Sequence, residues 1–376
     1  MRLFCLSEKP DETRVALTPE TAAKLIDLGL EVGLQTGAGR RSQYPDALYR
    51  EAGVSLIDDP SRGLAEADIV FRVRKPEVSD FDGLKANAIH LSLLDPFNAP
   101  ELLEAAASRD VRAVSMEMMP RTTLAQKMDV LSSQANLAGY FAVIRAAERM
   151  DRMMPMMMTP AGTIAPARVF VIGVGVAGLQ AIATAKRLGA RVDAFDTRPV
   201  VEEQVRSLGA KFVKIDLGET GQTDQGYAKE LTPEQIETQR KGMAKVCAQS
   251  DLVITTAKLF GRPAPRVVTA EMVAGMKPGS VIVDLAAETG GNVEGTRVHE
   301  EVVTDNGVTI IGTANLEACI PHHASQVYAA NLANLIEHFW DKESKTLNWD
   351  LTDEILKGCV LTDGGQVVHE RFRTSS

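Results

Sequence analysis

The chain has little of what disulfide-rich, metal-binding or membrane-spanning proteins require. Its 376 residues include only four cysteines, and these show neither metal-ligand spacing nor a disulfide framework: Cys5, Cys247, Cys319 and Cys359. The longest uncharged run of note, residues 169–185, is interrupted by glycines and predicts a strand, a turn and a helix rather than a membrane span. The N-terminal residues 1–14 reach charge before any apolar run develops, so we expect no signal peptide.

Basic clusters are also missing. The net charge is −9 and no block of lysine and arginine occurs, which argues against a nucleic-acid partner. The apolar fraction of 45% and the charged fraction of 24% are instead ordinary for a globular protein. A chain of this length is expected to form two domains, each with its own core.

Short apolar runs alternate with helical patterns along most of the chain, which predicts an α/β fold with parallel sheets. We expect two Rossmann-like domains joined by two long helices, with a cleft between them. Residues 1–128 plus 340–376 are assigned to the first, discontinuous domain, and 129–339 to a second domain that includes the bridging helices. The predicted strands are MRLFCLS, EVGLQTG, DIVFRVR, AIHLSLL, RAVSMEM, RVFVIG, RVDAFD, KFVKI, DLVITTA, SVIVDLA and VTIIGTA.

Helix-start signals are clear at two places. Thr18, Pro19 and Glu20 form an N-cap, a first-turn proline and an early acid, and Thr232-Pro233 begins a capping box. Long helices are predicted at about 129–150 and 325–339. The connector after the first of these is rich in methionine, which favours gap-filling in the core over an exposed partner surface.

The strongest motif is a dinucleotide fingerprint. The apolar strand that ends at Ile172 leads directly into GVGVAG, residues 173–178, and an alanine-rich helix follows. This is G-x-G-x-x-G in its strand–turn–helix context, where the pyrophosphate lies at the helix N-terminus. Asp196 ends the next strand, 23 residues after Gly173, and predicts a ribose acceptor that favours NAD(H) over NADP(H). Arg198 weakens that preference, because an arginine here can accommodate a 2′-phosphate.

A polar stripe lies at the start of the first long helix. Its members are spaced i, i+3, i+4 and i+7 on one face: Asp129, Ser132, Ser133 and Asn136. The stripe predicts either a site near the cleft or a simple N-cap followed by solvated serines. A polar, glycine-rich loop at 217–229 carries Tyr227 and predicts a lid over a ligand, with a floppy surface excursion as the alternative.

Three of these segments give the chain its resemblance to a known family. RVALTP at 14–19, the fingerprint at 173–189 and RTTLAQKMDVLSSQANLAGY at 121–140 resemble alanine dehydrogenases and, most specifically, the NAD(H)-binding alpha-1 component of proton-translocating transhydrogenases. The resemblance implies a nicotinamide end formed by Arg121, Gln126, Asp129 and Ser132. The cofactor contacts it implies are Gly173, Gly175, Val176, Ala177, Gly178, Asp196, Thr197, Arg198, Gly226, Tyr227 and Leu259.

The resemblance also implies partners and a place in the cell. We expect NAD(H) here and NADP(H) on a partner beta subunit, a membrane-embedded alpha-2 partner that carries proton translocation, and a homodimer. The chain would be cytoplasmic and peripheral on the inner membrane through these partners. A stand-alone amino-acid dehydrogenase resembling alanine dehydrogenase is the alternative, and a non-catalytic NAD sensor is the third interpretation.

Departures from the alanine dehydrogenases favour the transhydrogenase interpretation. Arg74 stands where they carry a lysine, and their catalytic histidine falls near Leu93, whereas His90 is expected on the opposite face of that strand. Arg14, their carboxylate-binding arginine, is kept, and Glu288 stands where they have aspartate. Residues 317–325 depart from both families.

Overall fold

The computed structural model describes residues 1–218, 220–221 and 231–373. Its contacts divide the chain into two compact units, Met1–Gln134 with Ala318–Ser376, and Ala135–Glu317. The domain limits expected from the sequence were 128/129 and 339/340 instead. The main difference concerns the second long helix, which the structure ties to the first unit: its Tyr328 donates to the Arg72 carbonyl (2.9 Å), and its Asn331 to the Lys127 carbonyl (2.9 Å).

The first unit begins with strands of a parallel sheet that alternate with helices. Its elements are β1 Arg2–Cys5, α1 Pro19–Asp27, β2 Glu31–Gln35, α2 Asp46–Glu51, β3 Ser55–Ile57, α3 Pro60–Glu66, β4 Ile69–Phe71, β5 Ile89–Ser92, α4 Pro100–Ser108 and β6 Arg112–Ser115. The six strands pair in parallel in the order β3-β2-β1-β4-β5-β6. The predicted start of α1 is confirmed, because the Thr18 side chain accepts from the Thr21 backbone N–H and Pro19 begins the helix.

Helix α5, Val130–Arg149, contains the junction between the units at 134/135. The second unit continues with β7 Met157–Thr159, β8 Gly162–Ile164, β9 Arg168–Ile172, α6 Val176–Arg187, β10 Arg191–Phe195, α7 Glu202–Ser207, β11 Lys211–Phe212, α8 Pro233–Cys247, β12 Leu252–Thr255, α9 Ala270–Ala274, β13 Val281–Asp284, β14 Glu301–Val303 and β15 Thr309–Ile311. Seven of these strands form a sheet in the order β11-β10-β9-β12-β13-β15-β14. The capping box at Thr232 is also confirmed.

Strand β9 shows why this sheet is buried on both faces. Val169 and Val171 pack into one hydrophobic cluster, and the alternate residues Phe170 and Ile172 pack into another. The sheet is parallel as predicted, except that β14 pairs with β15 antiparallel. Strand β14 was not predicted, because its three residues are half-buried or exposed and carry no buried apolar run.

The chain returns to the first unit with α10 Pro321–Phe339, β16 Trp340–Asp341, β17 Thr346–Leu347, α11 Glu354–Cys359, β18 Thr362–Asp363 and β19 Gln366–Val367. Helix α10 starts four residues earlier than predicted, because Pro321 fits its first turn. No helix in the described ranges has both the length and the apolar character needed to cross a membrane.

The prediction that the methionine-rich connector fills core gaps is wrong for most of it. Met154 is buried, but Met153, Met156, Met157 and Met158 are 38–80% exposed. For Met157 and Met158 the reason is local: they lie on β7, and β7 and β8 pair only with each other, as a two-stranded hairpin.

Candidate functional site

The glycine turn of the second unit lies between β9 and α6. Gly173 has a φ of 93°, which favours glycine, and an added Cβ at Gly178 would overlap the Gly173 carbonyl oxygen. Gly175 is the N-cap of α6 and provides no side-chain cap, so no side chain of its own covers the first amides of the helix. An added Cβ at Gly175 would meet no atom within 4 Å. The backbone at Gly175 therefore borders open space beside a helix N-terminus, here called the hollow, where a pyrophosphate would have room.

The turn is held from β10 by Asp196. One carboxylate oxygen accepts from the Val174 N–H (2.7 Å) and from Arg198 Nη2 (2.7 Å), and the other accepts from the Arg198 backbone N–H and Nε (both 2.9 Å). The hydrogen bond to Asp196 raises the pKa of Arg198. The predicted ribose acceptor thus also holds the turn in place, and its charge is already balanced by a cation.

The turn is held from β12 by Thr256, which sequence reasoning missed. Its hydroxyl donates to the Gly173 carbonyl (3.0 Å) and its N–H to the Ile172 carbonyl (2.9 Å). The available signal is position: Thr256 follows directly after β12, and β12 lies next to β9 in the sheet. In such sheets ligands bind at the carboxyl ends of strands where the strand order reverses, which here is between β9 and β12.

The remaining predicted cofactor contacts lie around the same strand ends. The Thr197 carbonyl accepts from the Thr220 hydroxyl (2.7 Å). Leu259 is half-buried in the tight turn that follows β12, where the Arg262 N–H donates to its carbonyl (3.4 Å). Val176 and Ala177 begin α6. Gly226 and Tyr227 lie outside the described residues, so the predicted lid stays a prediction.

The predicted nicotinamide end lies in the first unit, at the start of α5. Asp129 accepts from the Ser132 backbone N–H (2.9 Å) and from the Ser132 hydroxyl (2.6 Å), so it caps the helix, as one of the two interpretations of the polar stripe expected. Gln126 and Arg121 are exposed. Ser133 instead donates to Asn331 Oδ1 on α10 (2.7 Å), which turns it away from a solvated face.

The carboxyl ends of β1 and β4 in the first unit hold a buried ion pair. The Arg14 Nε and Nη2 donate to the two carboxylate oxygens of Glu12 (2.8 and 2.7 Å), and Nη1 donates to Gln134 Oε1 (2.8 Å). Arg74 Nε adds a contact to Glu12 (2.9 Å). Burial alone would raise the pKa of Glu12, but hydrogen bonds and charge from Arg14 outweigh it and the pKa is lowered. Glu12 was missed because an acid in a polar loop carries no pattern.

Strand β5 positions two further residues of the alanine dehydrogenase comparison. Leu93 is half-buried just beyond the strand, and its N–H donates to the Val73 carbonyl (3.1 Å). His90 is 1% exposed, its ring packs edge-on against Phe81, and neither ring nitrogen has a hydrogen-bond partner. Burial lowers the pKa of His90 to about 3, so it stays neutral at ordinary pH.

Comparison with known proteins identifies the family over nearly the whole chain. Residues 5–138 match the family described as "Alanine dehydrogenase/PNT, N-terminal domain", and 142–370 match its C-terminal domain. A Rhodospirillum rubrum protein, named as the first portion of "NAD(P) transhydrogenase subunit alpha", is 44% identical over 369 residues, 96% of each chain. An alanine dehydrogenase of Staphylococcus epidermidis is more distant, at 30% identity over 87% of this chain and 85% of its own.

A solved structure agrees with these sequence matches. "The crystal structure of transhydrogenase from Sinorhizobium meliloti" superposes with a TM-score of 0.88 at 44% identity, covering 98% of this chain and all of that one. Two family domains in the expected order and this overall likeness confirm both the α/β fold with parallel sheets and the family resemblance. The chain therefore belongs to the alanine dehydrogenase/PNT family.

Proposed function

We propose that this chain binds NAD(H) in its second unit and presents the nicotinamide for direct hydride transfer to NADP⁺ on a partner subunit. The observation that carries the proposal is the glycine turn, with its open hollow at Gly175 and a helix N-terminus that lacks a side-chain cap. The name of the 44% identical relative, a transhydrogenase subunit, supports the reaction.

The predicted site residues form two groups: those that would bind the nucleotide and those that would orient its nicotinamide. The backbone amides of Val176 and Ala177 would hold the pyrophosphate, and Asp196, with Thr197 and Arg198, the adenosine ribose. Gly226, Tyr227 and Leu259 would add contacts. Arg121, Gln126, Asp129 and Ser132 would orient the nicotinamide end. When bound, NADH supplies the hydride, and the task of these side chains is to fix the ring at reacting distance.

The chemistry of the first unit favours this reaction over amino-acid oxidation. Hydride exchange between two nicotinamides needs no general acid or base, whereas reduction of an imine or a carbonyl needs a proton donor. At the two positions where alanine dehydrogenases carry a histidine and a lysine, Leu93 cannot titrate and Arg74 is bound to Glu12. His90 is buried and kept neutral.

Proton translocation then belongs to partner subunits, a membrane-embedded alpha-2 subunit and an NADP-binding beta subunit. Docked on them, the chain would be cytoplasmic and peripheral on the inner membrane. The name of the Rhodospirillum rubrum relative, which describes one portion of a subunit, supports assembly with further chains. Activity is accordingly expected only when the partners are present.

We also propose a homodimer, supported by the hairpin of β7 and β8. Met156, Met158 and Ile164, which lie on or next to this hairpin, are 60%, 80% and 41% exposed, and exposed apolar patches are typical of a protein interface. Met156→Lys with Met158→Lys should shift the sedimentation coefficient from dimer towards monomer. A double variant that remains a dimer would remove this support.

The experiment that tests the function is hydride transfer from NADH to NADP⁺ by the purified chain, with and without an NADP-binding partner. Gln126→Asn and Asp129→Asn should slow turnover by roughly a hundredfold and change NADH affinity far less, because they act on ring geometry. Asparagine keeps the helix cap at position 129, so a loss there reports the charge. Lys127→Gln, an exposed neighbour, is the control. Normal turnover of both variants would leave the stripe as a helix start.

Two further measurements separate the alternatives. Calorimetric titration should show tighter binding of NADH than of NADPH. With alanine, or with pyruvate and ammonia, turnover above about 1 s⁻¹ would favour the amino-acid dehydrogenase instead.

A further inference from the structure

The glycine turn at 173–178 is in close contact with two residues outside it. The first is Gly139 on helix α5, whose residues from Ala135 onwards belong to the same unit as the turn. A Cβ added to Gly139 would overlap the Ala177 carbonyl oxygen and lie 2.9 Å from its carbonyl carbon and 3.0 Å from its Cα. Helix α5 therefore crosses the start of α6 at a separation that only glycine permits.

The contact at Gly139 cannot be relieved by a side-chain rotation. The atoms that an added Cβ would strike are all backbone, and Ala177 is the second residue of α6. Any larger residue at 139 must therefore displace the backbone of α5 or the first turn of α6. The amides that would face a pyrophosphate belong to that turn, so the displacement would move them.

Thr256 contacts the turn at other residues than Gly139 does. Its hydroxyl donates to the Gly173 carbonyl (3.0 Å), and the same oxygen lies 2.6 Å from where a Cβ on Gly173 would stand and 3.3 Å from one on Gly178. The side chain thus contacts the turn at its first and third glycines. Val174, between them, is fixed independently by Asp196.

We propose that Gly139 and Thr256 are positioning residues that set where the turn presents its amides to the pyrophosphate of the nucleotide. The proposal rests on nucleotide binding at this turn, the function proposed above. It predicts that substitutions at either residue lower the affinity for a ligand more, the more that ligand depends on its phosphate groups for binding. Adenosine, which would depend on Asp196 and its neighbours, should be affected little.

The test measures dissociation constants of NADH, ADP and adenosine for the full chain, by fluorescence for NADH and by its displacement for the others. Thr256→Val replaces the hydroxyl with a methyl of similar shape and should weaken NADH and ADP about fivefold, the worth of one hydrogen bond. Thr256→Ser keeps the hydroxyl and should bind within about twofold of the parent. Adenosine should change by less than about twofold in both.

Gly139→Ala should weaken NADH and ADP by roughly tenfold or more, because binding must first restore the turn. Gly275→Ala is the control, since its added Cβ lies 3.5 Å or more from its neighbours. If Gly139→Ala does not fold, the Thr256 pair decides alone. Unchanged ADP binding by Thr256→Val, or an equal loss for adenosine, overturns the proposal. A parent chain that binds neither NADH nor ADP overturns the proposed function and the positioning role together.

Discussion

The sheets of the two units share the order of their first five strands but fill the reversal point of that order differently. In each, the first strand lies beside the fourth at the point where the order reverses, β1 beside β4 and β9 beside β12. After β1 the chain fills this point with charged side chains, Glu12 and Arg14 among them, both 1% exposed. After β9 it places glycines there and leaves a hollow at Gly175. A Rossmann-like topology therefore offers a site, and the residues of the first loop decide whether the site is open.

The filled position in the first unit should be the more costly to disturb. Arg14→Met should lower the free energy of unfolding by about 3–5 kcal/mol, because it leaves the Glu12 carboxylate buried without its main partner. Urea denaturation of the purified chain measures this change. Arg62→Met is the control: its i,i+4 pair with Glu66 is exposed and should contribute less than about 1 kcal/mol. Equal losses for the two variants would contradict the comparison.

A substitution at the open position in the second unit should change nucleotide affinity rather than stability. Gly175→Ala should weaken NADH by roughly a hundredfold, because its Cβ enters the hollow where the pyrophosphate would approach the backbone. The melting temperature without nucleotide should stay close to that of the parent, since that Cβ meets no protein atom. A Gly175→Ala chain that binds NADH normally would show that the hollow is not the nucleotide site.

The open unit was the easier to predict. Its glycine turn and the strands on either side of α6 follow from a motif in which each residue has one steric or polar task, and the apolar strand before the turn is buried, whereas β14 gave no such signal. The packing around the turn could not be predicted from the sequence, because Thr256 and Gly139 contact residues of the turn that are far from them in sequence. The sequence predicted Asp196 as an acceptor for ribose. It could not predict the hydrogen bonds of Asp196 to Val174 and Arg198, because these depend on the direction in which the side chains point.

The filled unit was harder to predict for a related reason. A buried Glu12–Arg14 pair and a buried His90 break the rule that polar residues lie outside, and only the folded neighbours make them stable. The methionines of the β7–β8 hairpin break the opposite rule. Composition alone assigns them to a core, whereas a hairpin paired only with itself has no core to offer.

His90 makes the polar interior of the first unit sensitive to acid. Its pKa is lowered by burial from 6.5 to about 3, so below pH 6.5 the unfolded chain binds a proton that the folded chain does not. The free energy of unfolding therefore has no penalty from His90 above pH 6.5. As the pH falls below 6.5, this buried histidine lowers the free energy of unfolding by about 1.4 kcal/mol per pH unit. His90→Phe should flatten this dependence by about 2 kcal/mol between pH 6.5 and 5, as measured by urea denaturation. His338→Gln, an exposed histidine, should leave it unchanged.

The smallest expected effect concerns the preference of the second unit for NADH over NADPH. Arg198 balances the charge of Asp196, and under the proposed function its guanidinium would accommodate a 2′-phosphate. Arg198→Ala removes that cation and uncovers the carboxylate, and both changes disfavour NADPH. The preference for NADH should therefore increase about fivefold, which corresponds to about 1 kcal/mol. Titration calorimetry with NADH and NADPH measures it, and Arg191→Ala, an exposed residue at the far end of β10, is the control. Tighter NADPH binding by Arg198→Ala would mean that Asp196 discriminates only when Arg198 holds it in place.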